Sequence, residues 1–151
     1  MEYSALIFEN SDIEKIKKTT KIFIEDEDCK QIVVCCSPDL IVELALSPMP
    51  KTMLVKISNK PYIDMLNGLK AIKQENVLVV GLKSDILYDQ IQKTKKELEQ
   101  YPAIYYSDDL QAFDTRLVMF CLQMAIEINL AINTYAKAVE LLGDTPLKYI
   151  N

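Results

Sequence analysis

Five short apolar runs, separated by segments of helical period, constrain this chain more than any other feature. The runs are 3–8 (YSALIF), 31–37 (QIVVCCS), 52–58 (TMLVKIS), 76–82 (NVLVVGL) and 103–107 (AIYYS). Most are β-branched and nearly continuous, as strands covered on both faces are. Between them lie 11–26, 38–46, 61–74 and 84–100, where apolar residues recur at helical intervals, such as Ile86, Leu87, Ile91 and Leu98 in the last. Ser11 or Asp12 is the expected N-cap of the first helix and Ser84 that of the fourth. Strands alternating with helices at this spacing predict a parallel sheet with right-handed crossovers and helices on both faces. The expected fold is an α/β three-layer (βα)5 sandwich with a five-stranded parallel sheet, flavodoxin-like, receiver-like or Rossmann-like. All 151 residues fit one such domain.

From about Asp109 to Leu142 the pattern predicts one long C-terminal helix, stopped by Gly143 and Pro146. Its polar residues, among them Arg116, Gln123, Glu127 and Glu140, fall near one stripe. The remainder is apolar over a wider arc than docking on a sheet requires. A homodimer through the 110–142 helix is the expectation, because closed two-fold dimers are the commonest oligomers. Cover from the first helix of the same chain, or a break near 129–133 giving two shorter helices, also fits the pattern.

The chain has no histidine, which removes Ser-His and Cys-His nucleophiles and histidine metal ligation. Four cysteines, Cys29, Cys35, Cys36 and Cys121, show no metal-ligand spacing. They read as reduced, buried thiols, with a redox role for Cys35-Cys36 as the alternative if one is exposed. No metal and no cofactor is expected. A net charge of −5 argues against a nucleic-acid partner. Arg116 is the sole arginine, so bidentate clamps on phosphate have one candidate. The start of the chain does not read as a secretion signal, and 117–132 is interrupted by Gln123, Glu127 and Asn129, too short and polar to span a bilayer. A cytoplasmic protein without membrane contact is the expectation. The acidic run 25–28 (EDED) reads as a solvated turn.

Ligands of open parallel sheets bind beyond the carboxyl ends of the strands, where the crossovers change direction. The loops there are 9–12, 36–39, 58–60, 81–85 and 107–109, and Ser and Asp recur in nearly all of them. The candidate ligand-binding residues are Asn10, Ser11, Ser37, Ser58, Asn59, Lys60, Gly81, Lys83 and Ser84. Helix capping explains the same Ser and Asp residues more simply. Flavodoxin strand order would set 9–12 against 58–60. Only three glycines occur, Gly68, Gly81 and Gly143, so neither GxGxxG nor a P-loop can be written. A phosphoacceptor receiver needs an aspartate at the end of the third strand, where Ser58 stands, and a lysine after the fifth, where Ser107-Asp108 stand. A working receiver is therefore not expected, and a receiver-shaped domain without phosphotransfer stays open. No catalytic residue can be named.

Several segments carry a family resemblance. QIVVCCSPD (31–39), MLNGLKAI (65–72) with VLVV (77–80), LQAFDTRLV (110–118) and AVELLGDTPLKYI (138–150) resemble segments of the cytidylyltransferases that activate methylerythritol phosphate or ribitol phosphate. The resemblance implies a nucleotide-binding α/β fold. The family's glycine-rich nucleotide loop after the first strand has no counterpart in IFENSDIEKI, and its Asp-containing turn after strand four is replaced by Gly81-Leu82-Lys83. A segment of some thirty residues ahead of 110 is also absent, and no catalytic residue carries over.

With this inventory missing, the leading expectation is a non-enzymatic regulatory or protein-interaction domain that self-associates through its last helix. The alternative is a small-molecule binding protein, for a nucleotide or sugar phosphate, or an unusual enzyme, with its site at the C-terminal ends of the strands.

Overall fold

The first eight residues already show why the sheet forms: every residue of strand β1 (Tyr3–Phe8) is buried, with Ala5 and Ile7 in one apolar layer and Leu6 and Phe8 in the other. The structure, a computed structural model, describes residues 1–8, 12–58, 60–127, 135–143 and 145–150. After β1 come helix α1 (Ile13–Ile24), β2 (Cys29–Cys36), α2 (Pro38–Ala45), β3 (Thr52–Lys56), α3 (Pro61–Ala71), β4 (Asn76–Val80) and α4 (Tyr88–Leu98). The second half adds β5 (Ala103–Ser107), β6 (Leu110–Asp114), α5 (Thr115–Glu127), α6 (Tyr135–Leu142) and β7 (Leu147–Tyr149).

The described strands form one mixed sheet of seven, in the order β3-β2-β1-β4-β6-β5-β7. β1, β2, β3 and β4 are mutually parallel, β6 runs antiparallel to β4 and β5, and β7 is parallel to β5. Helices cover both faces. Ile16 and Phe23 of α1, Leu44 of α2 and Ile91 of α4 bury against one, and Met65 of α3, Val118 and Leu122 of α5 and Val139 of α6 against the other. The three-layer α/β expectation therefore holds in its Rossmann-like form, but the purely parallel five-stranded sheet does not.

The long C-terminal helix is corrected too. Its expected first turns, Leu110–Asp114, are strand β6, fully inside the sheet between β4 and β5. All four residues from Leu110 to Phe113 are buried, so no polar alternation marked them as a strand. The described remainder is two helices, α5 and α6, which pack on each other. Phe120, Met124 and Leu141 on these two helices remain exposed, and the homodimer expectation loses only the single 110–142 helix it named. No helix among the described residues is long and apolar enough to cross a membrane.

Gly68 brings α3 hard against the sheet: a Cβ there would stand 2.9 Å from Cys35 Sγ and 3.0 Å from Leu6 Cδ1. Buried amides fix the layers. Gln31 Oε1 on β2 accepts from Ser4 Oγ at 3.1 Å and from the Lys73 amide at 2.9 Å, while its Nε2 donates to the Ala71 carbonyl at 2.8 Å, closing the end of α3. On the other half, Gln111 Oε1 of β6 accepts from the Ala136 amide at 2.8 Å and caps the start of α6.

Candidate functional site

The crossovers change direction at β1. From β1 the chain steps outward to β2 and β3, then returns to place β4 on the other side of β1. The C-terminal ends of β1 and β4 therefore flank the switch point, the place where open α/β sheets hold ligands. This corrects the flavodoxin pairing. Ser58 and Lys60 follow β3, three strand spacings or about 14 Å from β4. The loop that faces the end of β1 is 81–87, after β4.

Gly81, Lys83 and Ser84 are brought together there, with one residue absent from the candidate set. Asp109, in the turn between β5 and β6, lies beside Gly81 because β6 pairs antiparallel with β4 and continues the ladder. The Gly81 amide donates to the Asp109 carbonyl at 3.0 Å. Asp109 Oδ2 accepts from Ser84 Oγ at 2.6 Å, and Oδ1 accepts from the Lys83 amide at 3.4 Å. A Cβ on Gly81 would come within 2.6 Å of Asp109 Oδ1, so a larger residue there would have to push this carboxylate aside. From the opposite side Lys15 of α1 donates through Nζ to the Leu82 carbonyl at 3.3 Å. Lys15 was missed because it sits one turn into a helix with no motif to mark it. Lys83 and Ser84 are exposed and Asp109 is half-buried.

The adjoining turn is acidic. Tyr105 donates its hydroxyl to Asp108 Oδ1, and this bond, with burial and the Asp108 charge, pushes the phenol up to about 12. Asp12 caps α1, accepting from the Glu14 amide at 3.0 Å and the Lys15 amide at 3.4 Å. Ser84 does not cap α4, whose first turn is closed by Gln90 Oε1 accepting from the Leu87 amide at 2.8 Å.

The other candidates stand apart. Ser58 is taken up by the buried Asp64 carboxylate, donating through its amide at 2.6 Å and its hydroxyl at 2.5 Å. Lys60 is exposed at the N-cap of α3 and makes no side-chain cap bond there. Ser37 is half-buried at the N-cap of α2, again without a side-chain cap bond. Asn10, Ser11 and Asn59 lie outside the described residues.

Two further expectations change. The redox alternative needed an exposed thiol, but Cys35 and Cys36 are 1% and 0% exposed. Burial, then the neighbouring Cys36 and Asp64 charges, pushes the Cys35 thiol up to about 12, far from a reactive thiolate. The 25–28 turn is not simply solvated either, since Asp26 is buried beneath Lys95. Among the described residues no group of three Cys, Asp or Glu side chains is arranged to hold a metal ion.

No protein-family model and no curated protein matches the sequence. Solved structures do. A 4-diphosphocytidyl-2C-methyl-D-erythritol synthase from Anaerococcus prevotii superposes with a TM-score of 0.82 at 15% identity, over 99% of this chain and 86% of that one. The chain shares the fold of that enzyme. The 2-C-methyl-D-erythritol 4-phosphate cytidylyltransferase of Francisella tularensis gives a TM-score of 0.79 at 12% identity, over 100% and 91% of the two chains. That of Thermus thermophilus gives 0.76 at 13%, over 100% and 89%. The resemblance of the short segments is thereby placed on elements: 31–39 is β2 entering α2, 65–72 lies in and after α3, 77–80 is β4, 110–118 is β6 entering α5, and 138–150 runs from α6 through β7. The leading expectation of a non-enzymatic interaction domain is corrected, because the neighbours that match nearly the whole chain are consistently named as enzymes, a synthase and two cytidylyltransferases.

Proposed function

We propose that this chain binds a nucleotide or a sugar phosphate, as a binding protein or an unusual enzyme, at the C-terminal ends of β1 and β4. The observation that carries the reading is the reversal of strand order between β1 and β4 within a fold whose solved neighbours are named as cytidylyltransferases. The Gly81–Ser84 loop follows β4 at this point, and Lys15 Nζ donates to its Leu82 carbonyl. Cytidine triphosphate is the first ligand to test, in view of the neighbours' names.

The chain lacks the glycine-rich loop that the resembling family carries after β1, so backbone cradling of a triphosphate has to come from elsewhere. The β4–α4 loop, with its glycine at a point of close approach, is the segment best suited to that part. Titration of the isotope-labelled protein with cytidine triphosphate and, separately, with a pentose phosphate tests the reading. Saturable amide shifts centred on Gly81–Ser84 and Lys15 are expected. Shifts confined to the opposite pole, around Asp26 and Lys95, or none at millimolar ligand, overturn it.

A further inference from the structure

The carboxylate of Asp109 occupies its loop in an unusual way. A Cβ on Gly81 would stand 2.6 Å from Oδ1, so a larger residue would have to turn the carboxylate aside, while the Ser84 hydroxyl at 2.6 Å and the Lys83 amide at 3.4 Å both reach that carboxylate. One backbone and one hydroxyl donor, reaching the two oxygens of a carboxylate above a glycine, are elements of an anion nest. We propose that the Gly81–Ser84 loop is a phosphate cradle filled by the chain's own Asp109 carboxylate, which a ligand's phosphate must displace to bind. The inference deepens the reading above and rests on it for the place of the ligand.

A purely structural tie is the competing explanation, and the remaining contacts weaken it. The strand ladder is already closed at this point by the Gly81 amide donating to the Asp109 carbonyl at 3.0 Å. The loop is held from its other side by Lys15 at the Leu82 carbonyl. The carboxylate is therefore a third attachment to a loop with two others, and it occupies the Lys83 amide and the Ser84 hydroxyl. A phosphate entering there gains the same two donors. It must first move a negative charge whose repulsion at contact distance is large on the scale of binding energies. Displacement involves rotation of the Asp109 side chain only, because its backbone stays paired with Gly81.

The experiment uses the full chain, as wild type, Asp109→Asn, Asp109→Ala and Asp109→Ala with Ser84→Ala, titrated calorimetrically with inorganic pyrophosphate and with cytidine triphosphate. Thermal melts of each variant accompany the titrations. Asp109→Ala is expected to bind pyrophosphate about tenfold tighter than wild type or better, since a repelling charge is removed and two donors are released. Asp109→Asn, which keeps the shape and loses the charge, should gain less, and Ser84→Ala should cancel most of the gain. If Asp109→Ala does not fold, Asp109→Asn carries the comparison. Equal or weaker pyrophosphate binding in the folded variants overturns the cradle. Wild type binding cytidine triphosphate with no gain in the variants sinks the cradle alone and leaves the nucleotide reading standing. Tightened pyrophosphate binding without nucleotide binding by any form supports the cradle and removes the nucleotide from the reading above, leaving the sugar phosphate. No binding by any form overturns both.

Discussion

The Lys95 ammonium stands 3.0 Å from Asp26 Oδ2 and 2.8 Å from Asp28 Oδ2, joining α4 to the turn between α1 and β2 at the pole opposite the candidate site. The side chains of Lys95 and Asp26 are only 9% and 7% exposed. Tyr3 Oη donates to Asp26 Oδ2 at 2.8 Å and Gln92 Nε2 donates to it at 3.2 Å, so the carboxylate is well satisfied. Removing the cation leaves a buried charge without its counter-ion. Lys95→Met should therefore cost about 3–5 kcal/mol in denaturant unfolding, and Lys95→Met with Asp26→Leu should recover part of it.

The same pair sets a pH dependence. Burial pushes the Asp26 carboxyl up, but hydrogen bonds from Tyr3 and Lys95, the Asp28 amide and the Lys95 charge together hold it below its ordinary value of 3.8. A depressed carboxyl contributes stability that is complete above the unfolded value and is lost as pH falls through the folded one. The Lys95→Met penalty should accordingly be full above about pH 5 and shrink below about pH 4. For Lys95, burial acts downward, yet bonds to Asp28 and Asp26 raise it above 10.5, so its share is lost only as pH rises beyond that value. A penalty that stays constant from neutral pH into strong acid would show that the Asp26 charge plays no part.

Three thiols should be silent in the native protein. Cys29, Cys35 and Cys36 are 0%, 1% and 0% exposed, and burial raises all three thiol pKa values. In a Cys121→Ser variant, Ellman's reagent should find no fast-reacting thiol before unfolding and three after it. A single rapid equivalent in the folded variant would contradict the packing of β2.

Much of this architecture was legible because burial on both faces leaves continuous apolar runs, and β1, β2 and β4 are such strands. The same property hid β6. Leu110 and Ala112 enter one layer while Phe113 enters the other and Gln111 meets α6, so all four are buried and period two vanishes. Leu110 and Phe113, three apart, then imitate a helix. The candidate site was half legible for a related reason. Gly81, Lys83 and Ser84 follow a recognisable strand, but the partnership with Asp109 exists only because β6 turns back antiparallel beside β4. Asp26 could not be told from its neighbours in EDED, since its burial depends on Lys95, distant in sequence.

Thr20 lies on the buried face of α1, 0% exposed, and its hydroxyl has no hydrogen-bond partner among the described residues. A buried hydroxyl that makes no bond has given up water without recompense, at about 1–3 kcal/mol. Valine has nearly the same shape without the polar atom. Thr20→Val should therefore leave the melting temperature unchanged or raise it, against the usual trend for core substitutions. A loss of more than about 1 kcal/mol in denaturant unfolding would reveal a hydroxyl bond that matters.

Gly68 sets helix propensity against packing. On an isolated helix Gly→Ala is worth about 1 kcal/mol of added stability. Here the new methyl would meet Cys35 Sγ at 2.9 Å and Leu6 Cδ1 at 3.0 Å, both fully buried on strands that cannot retreat without disturbing the sheet. Overpacking of this kind costs about 1–3 kcal/mol, so the packing term should win and Gly68→Ala should destabilise. The contact identifies its own remedy. Cys35→Ala alone removes a buried sulfur and leaves a cavity, but beside Gly68→Ala the new methyl occupies part of that space. In a double-mutant cycle the pair should lose less than the sum of the single variants, by about 0.5 kcal/mol or more. Strict additivity would mean that α3 yields as a body and that Gly68 is not what fixes its distance from the sheet.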